Sequence, residues 1–136
     1  MIVVDTGPLY AVADTNDAHH LDCVLAFEQA TEPLVVPISV VVETSFLIER
    51  CLGAPAEAAF LSSLAPSDVE VEQLLRPDLD RMAELVSVYG DLPLGTVDAS
   101  VVAVAERLGA TTLLTIDRRH FSVVRPRHTN AFTLVP

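Results

Sequence analysis

Residues 92–121 read LPLGTVDASVVAVAERLGATTLLTIDRRHF. The apolar spacing from Thr96 onward is helical, with Thr96 placed to cap the start and Gly109 placed to stop it. Thr111–Ile116 is then a short apolar run rich in β-branched residues, which predicts a buried strand ended by Asp117. A helix feeding directly into a continuous apolar strand is one unit of a parallel sheet with helices on its faces. Outward from this unit, the pattern recurs. Ile2–Val4 predicts a first strand, followed at once by Asp5, and "TGPLYAVAD" predicts a helix start with Pro8 in its first turn. "DAHHLDCVLAFEQA" (17–30) is helical, with His20, Val24, Phe27 and Ala30 at helix spacing. "LVVPIS" (34–39) is a second apolar strand, and Ser39 is placed to cap a helix that Gly53 ends. "PAEAAFLSSLAP" predicts a short helix, "DVEVEQL" an alternating strand or extended connection, "RPDLDRMAELVSVYG" a helix, and "FTLVP" a last short strand.

The chain has 136 residues, enough for one domain over 1–136, with 51% hydrophobic residues to supply a core. There is no internal repeat, linker or low-complexity segment. No apolar run approaches the ~20 residues that span a bilayer. No basic segment followed by an apolar one opens the chain, so a signal peptide is not expected. Cys23 and Cys51 lie far apart in sequence and lack zinc-site spacing, which fits a reduced, cytoplasmic protein. All eight basic residues are arginine. Without lysine, the chain cannot be a P-loop enzyme, a protein kinase or a pyridoxal enzyme.

The net charge is −11, which argues against general electrostatic binding of nucleic acid. Its distribution is uneven. Residues 1–75 hold twelve acids and one base, whereas "RRHFSVVRPRH" (118–128) holds four arginines, two histidines and no acid.

Four acids stand among apolar neighbours, where an unpaired charge is costly. Each has a plain structural alternative. Asp5 is placed to cap a helix, and Asp117 to make a turn. Glu43, in "SVVVETSFLIE", lies on the predicted inward face with Val40, Phe46 and Leu47, or reaches past the core edge to water. Asp98 gains from the helix dipole in a first turn. Taken together they point further. Asp5 and Asp117 both follow strands, at the edge where open parallel sheets form their sites, and Glu43 and Asp98 lie near helix N-termini facing that edge. Four like charges in one cleft need a cation, and hard oxygen ligands suit Mg²⁺ or Mn²⁺. Such a centre performs phosphoryl chemistry through an activated water. Thr6 and Thr115 are placed to orient a carboxylate or that water. Arg118, Arg119, Arg125 and Arg127 are placed to grip phosphates, or are simply a solvated surface segment.

"IVVDTGPLYA", "VPISVVVETSFLI" and the 92–121 stretch, in this order and spacing, resemble the PIN domain, specifically the VapC-type toxin ribonucleases of bacterial toxin–antitoxin pairs. The resemblance covers essentially the whole chain. It implies a three-layer α/β/α sandwich with a mainly parallel sheet, and a Mg²⁺-dependent endoribonuclease in which Mn²⁺ substitutes. The products would carry 5′-phosphate and 3′-hydroxyl ends. It implies a homodimer, neutralised by a cognate VapB-type antitoxin in a heterotetramer or larger assembly. Matched by position, Asp5, Glu43, Asp98 and Asp117 would form the acidic site, with Asp5, Asp98 and Asp117 as metal ligands. Asp5 and Asp98 rank first as direct ligands, and Glu43 and Asp117 act directly or through water. Asp91 is a further supporting candidate. Gly7 departs from the family, which often has a small polar residue there. Apolar helix surfaces at Ala54–Leu64, including Phe60, and around Leu47 are expected antitoxin contacts, with ordinary core as their alternative.

Other readings compete. A receiver-type phosphoacceptor domain would use a lysine, and a haloacid-dehalogenase-type phosphatase would have Asp-x-Asp where this chain has "DTG". A non-catalytic module, whose acids only cap helices or recruit a basic partner, would not bind Mn²⁺ in a way that Asp98→Asn removes.

Overall fold

Strands of three or four residues carry the sheet, and a helix follows each of the first four within a few residues. The computed structural model describes residues Met1–Pro136. In chain order the elements are β1 (Ile2–Val4), α1 (Thr6–Ala13), α2 (His20–Gln29), β2 (Leu34–Pro37), α3 (Ile38–Leu52) and α4 (Ala54–Leu64), then β3 (Glu70–Glu72), α5 (Arg76–Val88), α6 (Thr96–Leu108), β4 (Thr112–Leu114), α7 (Arg118–Val123) and β5 (Thr133–Val135). The five strands form one all-parallel sheet in the order β3-β2-β1-β4-β5. With helices on its faces this is the expected α/β/α sandwich.

The central strands have no solvated face. Val3, Val4, Val35, Val36, Leu113 and Leu114 are fully buried. Their continuous apolar runs, rather than alternation, mark a sheet covered on both sides. Helix α6 is buried from Ala99 to Ala105, and its alternating alanines and valines let it seat closely on its neighbours. Gly109 ends it at φ +71°, in the left-handed region that glycine enters without penalty. Strand β3 lies at the sheet edge, where its exposed Glu70 and Val71 are tolerated. Arg107 ties that edge to the helices, bonding Glu72 at 3.1 Å and Asp78 at 3.0 Å.

The strand order reverses beside β1. The chain moves from β1 outward to β2 and β3, then crosses back to place β4 on the other flank of β1. The gap between β1 and β4 is the switch point, beyond whose carboxyl ends open α/β sheets form their sites.

Several sequence expectations are corrected. Ser39 does not cap α3. Strand β2 runs into the helix without a loop, Pro37 takes the cap position, and Ser39 Oγ instead meets Ser100 Oγ at 2.5 Å. Thr96 is the first helical residue of α6, with Gly95 at the cap. The inward row of α3 is Val40, Val41, Thr44 and Ile48, and Phe46 is 58% exposed. The second helix begins at His20, three residues after Asp17, and buries Cys23 fully, while His20, Val24 and Phe27 are half-buried. Both thiols are free. Strand β4 stops at Leu114, two residues before Ile116. The basic segment hides a helix, α7, which Phe121 anchors in the core.

Candidate active site

At the switch point, Asp5 leaves β1 into the cap position of α1, yet its side chain makes no cap bond. It turns instead toward β4. Its backbone N–H donates to the Leu114 carbonyl at 2.9 Å, and its Oδ2 accepts from Thr115 Oγ1 at 2.8 Å. The register explains this. Val4 pairs with Leu114, so Asp5 stands level with Thr115 and not with Asp117. Asp117 does not repeat Asp5's place, as the sequence suggested, but lies two residues further out.

Thr115 is held from two directions. Its Oγ1 accepts the Asp117 N–H at 3.0 Å, which leaves its single proton for Asp5. Thr6 plays the same part for Glu43, its Oγ1 donating to Oε2 at 2.6 Å. Both hydroxyls are buried beside strands, and each aims one carboxylate.

The acids act on one another electrostatically. Asp5 is only 5% exposed, and burial pushes its carboxyl up to about 6. The Thr115 hydroxyl and the Thr6 backbone N–H oppose that rise, while the charges of Asp98 and Asp117 add to it. Asp98, in the first turn of α6, is also raised, chiefly by burial. His120 and the Gly95 backbone N–H oppose the shift, and Asp117 and Glu43 reinforce it. Asp5, Glu43, Asp98 and Asp117 therefore share one electrostatic neighbourhood.

Asp117 does two jobs. Its Oδ1 accepts the His120 N–H at 3.0 Å and caps α7. Its Oδ2 lies 2.7 Å from His120 Nδ1, which is also 3.2 Å from Asp98 Oδ2. That nitrogen is buried, and neither approach has hydrogen-bond alignment. Ligand atoms of Asp98, Asp117 and His120 all lie within 4.8 Å of one another. Clustered carboxylate oxygens with an orphaned nitrogen are a donor set that fits a divalent cation. His120 was not among the residues the sequence singled out. Its signal was the i, i+3 spacing from Asp117, which puts both on one side of a helix that was not expected.

The remaining candidates divide. Arg118 and Arg119 open α7, beside Asp117, with exposed side chains that reach the carbonyls of Pro136 and Leu92. Arg125 and Arg127 lie past the end of α7 and are held elsewhere. The Arg125 N–H donates to Tyr89 Oη. The Arg127 side chain pairs with Glu84, and its N–H donates to Glu106. Glu106 is about 12 Å along α6 from Asp98 at 1.5 Å per residue, so Arg127 faces the far end of that helix. Asp91 is exposed in the α5–α6 connection and joins none of these bonds.

Gly7 has a steric reason. A Cβ there would stand 2.6 Å from Ile116 Cγ1, so the segment carrying Thr115 and Asp117 packs where a side chain would be. Of the expected contact surfaces, α4 buries only Phe60, exposes Leu61 and lines an apolar groove of about 410 Å³ with Ala56, Ala59 and Leu64, and Leu47 is half-buried. The exposed apolar row is Ile38, Val42 and Phe46 on α3, which lines a groove of about 460 Å³ that includes Glu43. The largest cavity, about 660 Å³ between α2 and the ends of β4 and β5, includes Thr115 and Arg118 but none of the four acids.

Comparison with known proteins agrees with this architecture. The PIN domain family matches residues 2–125. Ribonuclease VapC26 of Mycobacterium tuberculosis is 33% identical over 135 residues, 99% of this chain and 100% of that protein. The crystal structure of Mycobacterium tuberculosis VapC20, described as a sarcin–ricin loop cleaving toxin, superposes with a TM-score of 0.86 at 22% identity. It covers 96% of this chain and 99% of that one. FitAcB from Neisseria gonorrhoeae shares the fold more distantly, with a TM-score of 0.63 and 16% identity over 86% of this chain and 88% of that one.

Proposed function

Since the chain belongs to the PIN-domain family, in its VapC branch, we propose that it is a divalent-cation-dependent endoribonuclease, the toxin of a toxin–antitoxin pair. One observation carries the reading. Four carboxylates from four separate chain segments come together near the sheet's switch point, where the charges of Asp98 and Asp117 raise the proton affinity of Asp5, and those of Asp117 and Glu43 raise that of Asp98. Such a cluster needs a cation, and its oxygen donors suit Mg²⁺, with Mn²⁺ able to substitute.

Asp5, Asp98 and Asp117 would hold the cation, which when bound polarises a phosphodiester and lowers the pKa of water. The other residues prepare and support that chemistry. Thr115 donates to Asp5 and so favours the ionised carboxylate that burial opposes. Thr6 fixes one oxygen of Glu43, leaving the other to orient water or take its proton. Arg118 and Arg119 supply exposed positive charge beside an otherwise acidic protein, where an RNA phosphate would need it.

The protein partners in this reading are a cognate VapB-type antitoxin and a second copy of the chain, and Ile38, Val42 and Phe46 offer the apolar surface for them. No helix is long and apolar enough to cross a membrane, and a cellular RNA substrate implies a cytoplasmic protein.

Cleavage of total cellular RNA by the purified chain tests the proposal, with Mg²⁺, with EDTA, and with Asp5→Asn and Asp98→Asn variants confirmed to fold. Discrete fragments with 5′-phosphate ends, lost with EDTA and in both variants, are expected. Intact transfer, ribosomal and messenger RNA with folded, Mg²⁺-loaded protein would overturn it.

A further inference from the structure

His120 is the one side chain at the centre whose chemistry the carboxylates do not explain. Its position is fixed from both sides. The backbone N–H is held by Asp117 Oδ1, and the next residue, Phe121, is buried in the core. The side chain is 18% exposed, yet its Nδ1 is buried and has no aligned hydrogen-bond partner. His20 and His128 each set a ring nitrogen in hydrogen-bond alignment 2.7 Å from a backbone carbonyl, of Ala11 and Ala110 respectively, whereas His120 Nδ1 stands equally close to Asp117 Oδ2 without that alignment. A buried polar atom without a partner needs a reason, and a place for an ion is a common one.

The spacing supplies that reason. Adjacent ligand atoms around a small octahedral cation, each at about 2.0–2.1 Å, stand about 2.9 Å apart. Nδ1 lies 2.7 Å from Asp117 Oδ2 and 3.2 Å from Asp98 Oδ2, on either side of that value. We propose that His120 gives Nδ1 as a nitrogen ligand to the cation held with Asp98 and Asp117, so that the centre is mixed carboxylate–imidazole and favours Mn²⁺ over Mg²⁺. Carboxylate and water suit either ion, whereas imidazole is a ligand of transition metals. The inference rests on the metal-dependent reading above, and sharpens it by naming a ligand and a preference.

The test uses the metal-free full chain and Mn²⁺ alone, read by electron paramagnetic resonance, followed by competition with Mg²⁺. The wild type is expected to show hyperfine coupling from a directly bound imidazole nitrogen, altered by isotope labelling of histidine and absent in His120→Ala. That variant should bind Mn²⁺ about tenfold more weakly or worse, with a smaller loss for Mg²⁺. Mn²⁺ bound to the wild type without nitrogen coupling, yet lost in Asp98→Asn, overturns the ligand role alone, and needs no His120 variant to fold. Tighter binding of both ions by His120→Ala also overturns it, since a cationic ring that merely offset the carboxylates would have been removed. Failure of the wild type to bind Mn²⁺ overturns this inference and the metal-dependent reading together.

Discussion

Thr115 Oγ1 donates to Asp5 Oδ2 at 2.8 Å, joining residues 110 positions apart. The same hydroxyl accepts from Asp117, so its proton has one direction. Thr115→Val keeps the shape and removes the donor. A buried carboxylate left without it costs about 1–3 kcal/mol. Urea unfolding at neutral pH should show that loss, Thr115→Ser should recover most of it, and an NMR titration should find Asp5 protonated at still higher pH.

Asp5 gives stability a pH dependence in the metal-free protein. Its folded value of about 6 lies above the ordinary 3.8. A raised acid favours the protonated fold. Its contribution is therefore whole below about pH 4 and is lost as pH rises through about 6. The difference is worth about 3 kcal/mol. With EDTA, Asp5→Asn should be more stable than the wild type at pH 8 by a large part of that amount, and the gap should close near pH 4. Equal unfolding midpoints at pH 8 would contradict the burial argument. Mn²⁺ should stabilise the wild type far more than the variant, because it binds the fold and not the unfolded chain.

Gly7 is a packing requirement. Gly7→Ala drives a methyl group against Ile116 Cγ1 and should cost about 1–3 kcal/mol. Ile116→Ala in the same chain should relieve the strain, although it carries its own cost. A double-mutant cycle should therefore give a favourable coupling of at least about 0.5 kcal/mol. Additive effects would mean that the segment shifts freely.

The arginines should separate by position. Arg118→Ala and Arg119→Ala should weaken RNA binding and each lower the salt slope by up to about 1. Arg127→Ala should leave RNA binding unchanged, since its partners are Glu84 and Glu106. Fluorescence anisotropy across a salt series measures all three. Equal losses would place the phosphate path over the α5–α6 face.

The strands, the parallel sheet and the edge that gathers the acids were legible because continuous apolar runs ending in Asp5 and near Asp117 have few other meanings. Helix starts were less legible. Ser39 and Thr96 have good capping chemistry, but a strand running directly into α3 and a backbone turn at Gly95 supplied the caps. Helix α7 was hidden because its signals are a cap supplied by Asp117 and a single buried Phe121, within a stretch whose charge drew attention first. His120 was hidden with it. Phe46 faces outward, against expectation, because helix spacing identifies a row of residues, not which row faces the core.

The order of assembly follows from the sheet. Asp5 follows β1, whereas its partner Thr115 lies 110 residues further along the chain, with Asp98 of α6 before it and Asp117 and His120 after it. A chain that holds only the first strand and its acid has nothing to complete the centre. Strand β4 must dock against β1 before the four carboxylates meet. The centre thus exists only in chains in which β4 has docked on β1, so closing the sheet and gathering the acids are one event.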